Sequence, residues 1–206
     1  MIDLEANWIE TCKHIGFDEP DIDLFPALCK RYSEPQRRYH TLQHLSECLT
    51  LANQDKALAQ YPAEVAYALW FHDAVYELDR HDNEQESANW ARASLTAAGV
   101  QADVADRVYA SIMATCHDGS PHSVDAQLVV DIDLAILAAP PDRFEEYERQ
   151  ILDEYQHVPG MIFRIKRRAV LSSFLERPQI YLTPTYALRF ESAARHNLKS
   201  RASKRS

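Results

Sequence analysis

Two histidines, His40 and His44, lie four residues apart in the segment RRYHTLQH, residues 37–44. If this segment is helical, the spacing places both imidazoles on one face, one turn apart. Such a pair can bind one metal ion, or one ring can bind the ion while the other contacts a substrate. Two partly exposed histidines at the start of a helix would have the same spacing, so the pair needs partners elsewhere in the chain before it indicates a site.

A histidine and an aspartate, His72 and Asp73, are adjacent in the strongly apolar segment ALWFHDAVY. Burial of an imidazole and a carboxylate costs several kcal/mol unless other groups or a cation compensate them. The same dipeptide begins at His81 and at His117, but in polar surroundings, so its apolar context singles out the pair at 72–73. A metal ion would compensate both groups, whereas an ordinary hydrogen-bonded pair that caps a neighbouring helix would need no metal.

Two carboxylates, Asp131 and Asp133, interrupt a second apolar segment, LVVDIDLAIL. The same cost of desolvation applies, and no lysine or arginine is near in the sequence to pair with them. Their compensation must come from a bound cation or from an arginine that is distant in the sequence.

Two histidines and two carboxylates on separate helices can converge on one divalent ion. A mixed set of nitrogen and oxygen ligands favours Mn, Fe, Co, Ni, Mg or Zn. Such an ion would keep positions open for water and substrate oxygens, polarise a phosphoryl oxygen and lower the pKa of a bound water. The chemistry that these residue types predict is therefore metal-assisted hydrolysis, in which the ion makes hydroxide available near neutral pH.

The elements that must position these residues are helices. Helical periodicity runs through almost the whole sequence, and the chain has only four glycines among its 206 residues, which argues against a turn-rich β-fold and against glycine-rich phosphate loops. We predict an all-α helical bundle of about ten helices. It forms a single domain over 1–206, with a core over about 30–140, C-terminal helices over 141–198 that pack on this core, and a basic tail over 199–206. The predicted helices at about 40–60 and 62–76 would contain His44, His72 and Asp73.

Composition narrows the class of protein. The net charge of −9 argues against a nucleic-acid polymer as partner, because binding of a phosphate backbone requires a basic surface. The four cysteines form no CxxC motif, which predicts reduced thiols in a reducing compartment. The N-terminal segment lacks the features of a signal peptide, and no apolar run has the length of a membrane span. We therefore expect a cytoplasmic protein that binds no membrane.

The order His … His-Asp … Asp resembles the signature of the HD superfamily of metal-dependent phosphohydrolases, and the chain is most similar to a bacterial subgroup of uncharacterised HD proteins. The resemblance covers roughly residues 30–200 and depends on the strings RRYHTLQHLSECL, ALWFHDAVYE, DNEQESA, IMATCHD, VVDIDLAIL and ILDEYQHV. It implies one divalent metal ion bound by His44, His72, Asp73 and Asp133, with Asp131 as the alternative last ligand. His44 matches better than His40 because Cys48 stands four residues after it, where the family has a small apolar residue.

The resemblance also implies roles for residues around the metal. Asp73 acts in catalysis as well as in metal binding, His40 contacts phosphate or donates a proton to the leaving group, and Glu84 is a candidate general base. Asn83 is a candidate for substrate or water binding, Arg37 for phosphate binding, and His117 for a second metal or the substrate. A surface role for Arg37 and a loop role for His117 explain these residues as well.

The function that the resemblance implies is hydrolysis of a small phosphorylated substrate, either a nucleotide or a phosphomonoester. The chain lacks the additional histidines and the GYP motif of the cyclic-nucleotide phosphodiesterases, so the substrate stays undefined. Two alternatives are a di-metal oxygenase of the HD type and a non-catalytic, metal-stabilised ligand-binding module. The oligomeric state is undefined, and a homodimer is one possibility. The acidic amphipathic segment around 142–155 is either a partner surface or a solvated outer face.

Overall fold

The computed structural model describes residues 2–19, 21–117, 119 and 121–203. Within these ranges the chain forms ten α-helices and no β-strand, which confirms the predicted all-α class and the number of helices. None of these helices combines the length and the apolar character that crossing a membrane requires. The helices are α1 (Leu4–Ile15), α2 (Leu24–Arg31), α3 (Leu42–Gln54), α4 (Pro62–Phe71), α5 (Asn83–Ala97), α6 (Ala102–Met113), α7 (Val124–Asp133), α8 (Pro141–Glu154), α9 (Gly160–Glu176) and α10 (Pro184–Ser203).

The chain divides into two compact units, Met1–Asp133 and Leu134–Ser206. The first unit contains α1 to α7, and the second contains α8 to α10. The predicted single domain, with its core over about 30–140, stays a prediction.

Helix α4 is the centre of the first unit. It contacts α1, α3, α5, α6 and α7, and its sequence PAEVAYALWF is apolar on nearly every side, as expected for a helix that is surrounded by others. Trp8 of α1 lies against Tyr67, Trp70 and Phe71 of α4, with the ring centroids 5.6, 5.3 and 6.4 Å apart. This packing fixes the C-terminal end of α4, which is where the His-Asp pair follows.

The core of the second unit is formed by α10 and the short 3₁₀ segment Leu134–Ala138. Asn197 donates hydrogen bonds from its side-chain amide to the carbonyls of Leu137 and Ala139. Helix α10 continues to Ser203, past the end near residue 198 that the sequence predicts, because Arg201 forms an ion pair of 2.8 Å with Glu148 of α8. The rest of the predicted basic tail, Lys204 and Arg205, lies outside the described residues.

Helix α3 ends at Gln54 instead of near residue 60, and two further predicted boundaries that are wrong concern the candidate site. Helix α3 begins at Leu42 with Thr41 as its N-cap, so His40 precedes the helix and does not share a helical face with His44. Helix α4 ends at Phe71 instead of near Tyr76, so the His-Asp pair lies in the turn after the helix. Helix α3 begins late and helix α4 ends early, and in both places side chains bind backbone groups at the helix end. The hydroxyl of Thr41 accepts from the amide of Gln43, and arginines donate to the carbonyls after α4.

Candidate metal centre

The turn after α4 is held by two arginines. Arg37 donates to the carbonyls of Asp73 and Ala74 at 2.6 and 3.1 Å, and Arg31 donates to the carbonyl of Ala74 at 3.1 Å. The amide of Val75 donates to the hydroxyl of Ser87 on α5. These bonds satisfy backbone groups that the end of α4 leaves unpaired, and they fix the direction in which the side chain of Asp73 leaves the chain.

The two candidate aspartates of α7 point to different sides of the helix, because residues two apart on a helix are separated by about 200°. Asp133, the last residue of α7, reaches the histidines of the first unit. Asp131 is fully buried and does not belong to the group of donor atoms formed by His44, Cys48, His72 and Asp133. The structure therefore brings Asp133, and not Asp131, to the position that the metal-binding hypothesis requires.

The four predicted ligands meet at one point in the first unit. His44 Nε2 lies 3.1 Å from His72 Nε2, 3.2 Å from Asp133 Oδ1 and 3.5 Å from Asp73 Oδ2. His72 Nε2 lies 3.1 Å from Asp73 Oδ2 and 3.6 Å from Asp133 Oδ1. The two imidazoles are almost fully buried, whereas the carboxylates of Asp73 and Asp133 are 16% and 17% exposed. The cluster thus has a buried histidine side and an accessible carboxylate side.

The hydrogen bonds behind the rings favour metal binding. His72 Nδ1 donates to the carbonyl of Leu69 at 2.8 Å, and a carbonyl can only accept, so this ring nitrogen carries hydrogen. In the neutral ring, the lone pair is then on Nε2, which points into the cluster. His44 Nδ1 lies 3.0 Å from the buried hydroxyl of Tyr39, which can accept a hydrogen bond from this nitrogen as well as donate one to it, and which orients the second ring. Metal-binding histidines characteristically have such a partner on the outer nitrogen.

The two histidines are strongly basic in the metal-free protein. Burial lowers the pKa of His44, but Cys48, then Tyr39 and the two aspartates, raise it well above the ordinary value. Burial likewise lowers the pKa of His72, and Asp73 is the largest influence that raises it, again to well above the ordinary value. In the metal-free protein, protonated histidine therefore supplies positive charge to the two carboxylates.

The carboxylates are correspondingly acidic. Burial raises the pKa of Asp73, but His72 and then His40 hold it well below the ordinary value. Burial also raises the pKa of Asp133, and its hydrogen bond with His117, followed by those with His44 and His72, keeps it well below that value. Asp133 forms no ion pair with an arginine of the described residues, so the alternative of a distant arginine partner has no support here.

This donor set fits a divalent cation. Two imidazole nitrogens and two carboxylate oxygens converge from separate segments, each imidazole is oriented from behind, and protons compensate the carboxylates where no arginine does. A divalent ion would replace those protons with a fixed charge.

Sequence reasoning missed one member of the cluster. His44, Cys48, His72 and Asp133 each contribute a ligand atom to a group in which all four atoms lie within 4.8 Å of one another. Cys48 is one helical turn after His44, so both face the same side of α3, and its sulfur lies 3.7 Å from each ring nitrogen of His44. The spacing of four residues is the available signal, but the resemblance identifies Cys48 only as the small apolar residue that follows the histidine on the same helix.

Two further histidines, His40 and His117, border the cluster. His117 Nε2 lies 3.1 Å from Asp133 Oδ2, and its backbone has a φ of 57°, the left-handed conformation that few residues other than glycine adopt. His40 stacks on Tyr76 with ring centroids 4.1 Å apart, and its centroid is 6.0 Å from that of His44. The aspartate that follows His117 lies outside the described residues.

The remaining predicted residues have other contacts. Arg37 is 2% exposed, and besides its bonds to the turn after α4 it donates to Glu34 and to the carbonyl of His40. Asn83 exchanges two hydrogen bonds with the backbone of Glu77. Glu84 is half-buried on the first turn of α5 and forms no hydrogen bond or ion pair with a described residue. Roles in substrate binding or catalysis for these residues stay predictions.

A cavity of about 600 Å³ lies elsewhere in the first unit, between α1, the end of α3, the start of α4 and α6. Its lining contains Thr11, Leu49 and Arg107 but no member of the cluster. Because the size of a cavity does not indicate any chemistry, we place the candidate site at the cluster.

In comparisons with known proteins, no family model, no curated protein and no solved structure matched this chain.

Proposed function

We propose that this chain is a metal-dependent hydrolase of a small phosphate ester, with a nucleotide or a phosphomonoester as substrate. The observation that carries the proposal is the meeting of His44, His72, Asp73 and Asp133, which come from separate places in the sequence and bring their Nε2 and Oδ atoms to within 3.1–3.6 Å of one another along the measured pairs. These are the residues that the order His … His-Asp … Asp selects without knowledge of the fold.

The four residues would hold one divalent ion. Bound there, the ion supplies positive charge to a phosphoryl oxygen and acidifies a nearby water. The two carboxylates balance the charge of the ion, and their partial exposure leaves that side open to a substrate. The buried histidines contribute neutral nitrogen ligands whose orientation is set by the carbonyl of Leu69 and the hydroxyl of Tyr39.

Two histidines are the candidates for the anionic substrate and its protons. His117 binds the outer oxygen of Asp133 and has a side chain that is 21% exposed. His40 is half-buried, close enough to Asp73 to lower its pKa, and held by its stacking on Tyr76. We assign proton donation to the leaving group to His40 and contact with the phosphate to His117.

Arginine in this site orients other residues. The guanidinium of Arg37 is occupied by Glu34 and by backbone carbonyls, including that of Asp73. We therefore propose Arg37 as a positioning residue for Asp73 in place of the phosphate-binding role considered for it from the sequence.

The first test is metal content, measured by elemental analysis of the purified protein and of a His72→Ala/Asp73→Ala double variant. We expect about one equivalent of a divalent metal in the natural protein and none in the variant. The natural protein is then reconstituted with Mg²⁺, Mn²⁺, Fe²⁺, Co²⁺, Ni²⁺ or Zn²⁺ and assayed on a panel of phosphomonoesters and nucleotides. Hydrolysis that requires the metal and is absent from the double variant supports the proposal.

Each other outcome has a definite meaning. Absence of metal from the natural protein even after reconstitution would show that the cluster is a structural set of ion pairs and would remove the basis of the proposal. Metal binding that raises the thermal stability but gives no hydrolysis over the whole panel would favour the non-catalytic module. Iron content with oxygen-dependent turnover would favour the oxygenase.

A further inference from the structure

The inference concerns Cys48 and rests on the metal site proposed above. Cys48 is 2% exposed, and its sulfur belongs to the group of four donors in which all ligand atoms lie within 4.8 Å of one another. A buried cysteine by itself is ordinary, because cysteine behaves as a small apolar residue. Cys12 of α1 is such a residue: it is equally buried and lies outside this group. Cys48 differs from Cys12 because its sulfur lies close to the imidazoles of His44 and His72 and to the carboxylate of Asp133.

We propose that Cys48 is a thiolate ligand of the metal ion and that it makes the site selective for Zn²⁺ and Co²⁺ over Mg²⁺ and Mn²⁺. The resulting ligand set contains two nitrogens, one sulfur and the carboxylate oxygens of Asp73 and Asp133.

The distances between donors support this assignment. Donors that surround an ion tetrahedrally at the usual Zn–N and Zn–S lengths lie roughly 3.3–3.7 Å from one another. Cys48 Sγ lies 3.7 Å from His44 Nε2, while His44 Nε2 is 3.2 Å and His72 Nε2 3.6 Å from Asp133 Oδ1. The distance from the sulfur to His44 Nε2 thus falls in this range, and its distances to the donor atoms of His72 and Asp133 are within 4.8 Å.

The position of Cys48 on α3 makes the placement a rigid one. Residues four apart on a helix lie on the same face, so the helix that carries His44 into the cluster carries Cys48 with it. The N-cap bond of Thr41 to the amide of Gln43 and the helical packing of Leu45 and Leu49, both fully buried, fix the rotation of α3. No movement of the backbone is needed for histidine and cysteine to face the same ion.

A thiolate changes which metal binds. Soft sulfur ligands favour Zn²⁺ and Co²⁺, whereas Mg²⁺ and Mn²⁺ favour carboxylate and water oxygens. Without Cys48, the same cluster would be a set of nitrogen and oxygen ligands with much weaker discrimination. The types of the four predicted ligands do not determine which divalent ion the site prefers, and a thiolate from Cys48 would determine it.

The test is titration of the metal-free protein with Co²⁺, followed by absorption spectroscopy. A cobalt–thiolate bond gives an intense near-ultraviolet charge-transfer band that nitrogen and oxygen ligands do not give. We expect this band to saturate at one equivalent in the natural protein and in Cys12→Ser, and to be absent in Cys48→Ser. Competition with a chelator should show that Cys48→Ser binds Zn²⁺ more weakly by at least about 100-fold, with Mn²⁺ affinity nearly unchanged.

Failure of this inference is distinct from failure of the proposed metal site. If the natural protein binds one equivalent of Co²⁺ without the band, Cys48 only packs against the ring of His44, and the inference is overturned while the metal site stands. If Co²⁺ does not bind at all, both are overturned. Circular dichroism and thermal unfolding check that Cys48→Ser is folded, and Cys48→Ala serves as the second variant if serine destabilises the core.

Discussion

The carboxylates of Glu148 in the second unit and of Asp73 and Asp133 in the first are compensated in different ways, although the first unit also contains a buried glutamate, Glu64, that is paired with Arg107. In the second unit Glu148, which is 5% exposed, forms ion pairs with Arg167 at 2.5 Å and with Arg201 at 2.8 Å. In the first unit Asp73 and Asp133 are paired with histidines. An arginine stays charged at any physiological pH, whereas a histidine loses its charge when it releases a proton.

The kind of partner, arginine or histidine, indicates which carboxylate stabilises the fold and which one is available to bind a metal ion. The pairs of Glu148 connect α8 with α9 and α10 and need nothing from solution. Asp73 and Asp133 are compensated by histidines, which carry charge only while they are protonated, and those protons can be exchanged for a divalent cation. A buried acid whose partners are histidines is thus the better candidate for metal binding.

The largest effect should follow from removal of one carboxylate of the cluster. In Asp133→Asn we expect metal affinity to fall by more than about 100-fold, because loss of a ligand should exceed the 10- to 100-fold cost of losing an outer-shell partner. The matched control is Asp131→Asn, two residues away on α7 and outside the cluster. Metal titration by calorimetry measures both, and equal affinities in Asp133→Asn and the natural protein would contradict the assignment.

Metal affinity should rise steeply with pH. Because the pKa values of His44 and His72 lie well above 6.5 in the metal-free protein, an ion must displace the protons that these rings hold, and also that of Cys48 where its sulfur binds as a thiolate. Affinity should therefore increase by about tenfold per pH unit for each proton displaced, at pH values below those raised pKa values. Calorimetry in buffers of different ionisation enthalpy counts the protons released, and a release of none would show that the rings are already neutral.

The same shifts set the stability of the metal-free protein. A histidine whose pKa is raised by folding stabilises the fold below the ordinary value of 6.5, and this contribution is lost as the pH rises through the raised pKa. Metal restores the missing charge, so the increase in melting temperature on metal addition should grow from pH 6.5 upwards. If the increase in melting temperature on metal addition is constant or becomes smaller as the pH rises, the proposed exchange of protons for metal is contradicted.

In the second unit, removal of the buried charge should affect folding alone. Glu148→Gln leaves Arg167 without its charged partner in a buried position, and we expect a loss of about 2 kcal/mol in the free energy of unfolding, below the usual cost of breaking a buried pair because Arg201 is 36% exposed. Denaturant unfolding measures the loss, and metal content serves as the control. A change in metal content would show that the contrast between the two units does not hold.

Much of this could be predicted from residue types and spacing. The helices, the choice of His44 and His72, and the buried carboxylates follow from periodicity and from the cost of burying polar groups in apolar segments. The ends of α3 and α4 could not be predicted, because they depend on the hydroxyl of Thr41 and on Arg37, a residue distant from the turn that it binds. Cys48 could not be predicted as a ligand from the sequence, because a cysteine among apolar residues is sufficiently explained by packing in the core.

The smallest effect should come from the hydroxyl behind His44. Tyr39→Phe removes the group 3.0 Å from His44 Nδ1 while keeping the ring, which packs against His44 at 4.7 Å between centroids. Without this partner the imidazole is free to rotate or to place its hydrogen on the inner nitrogen, and we expect about tenfold weaker metal binding with little change in unfolding. Tyr32→Phe is the matched control, since the hydroxyl of Tyr32 is also buried but bonds the carbonyl of Trp70 and should alter stability more than metal affinity. If the two variants weaken metal binding equally, the effect is one of general packing, and Tyr39 does not orient His44.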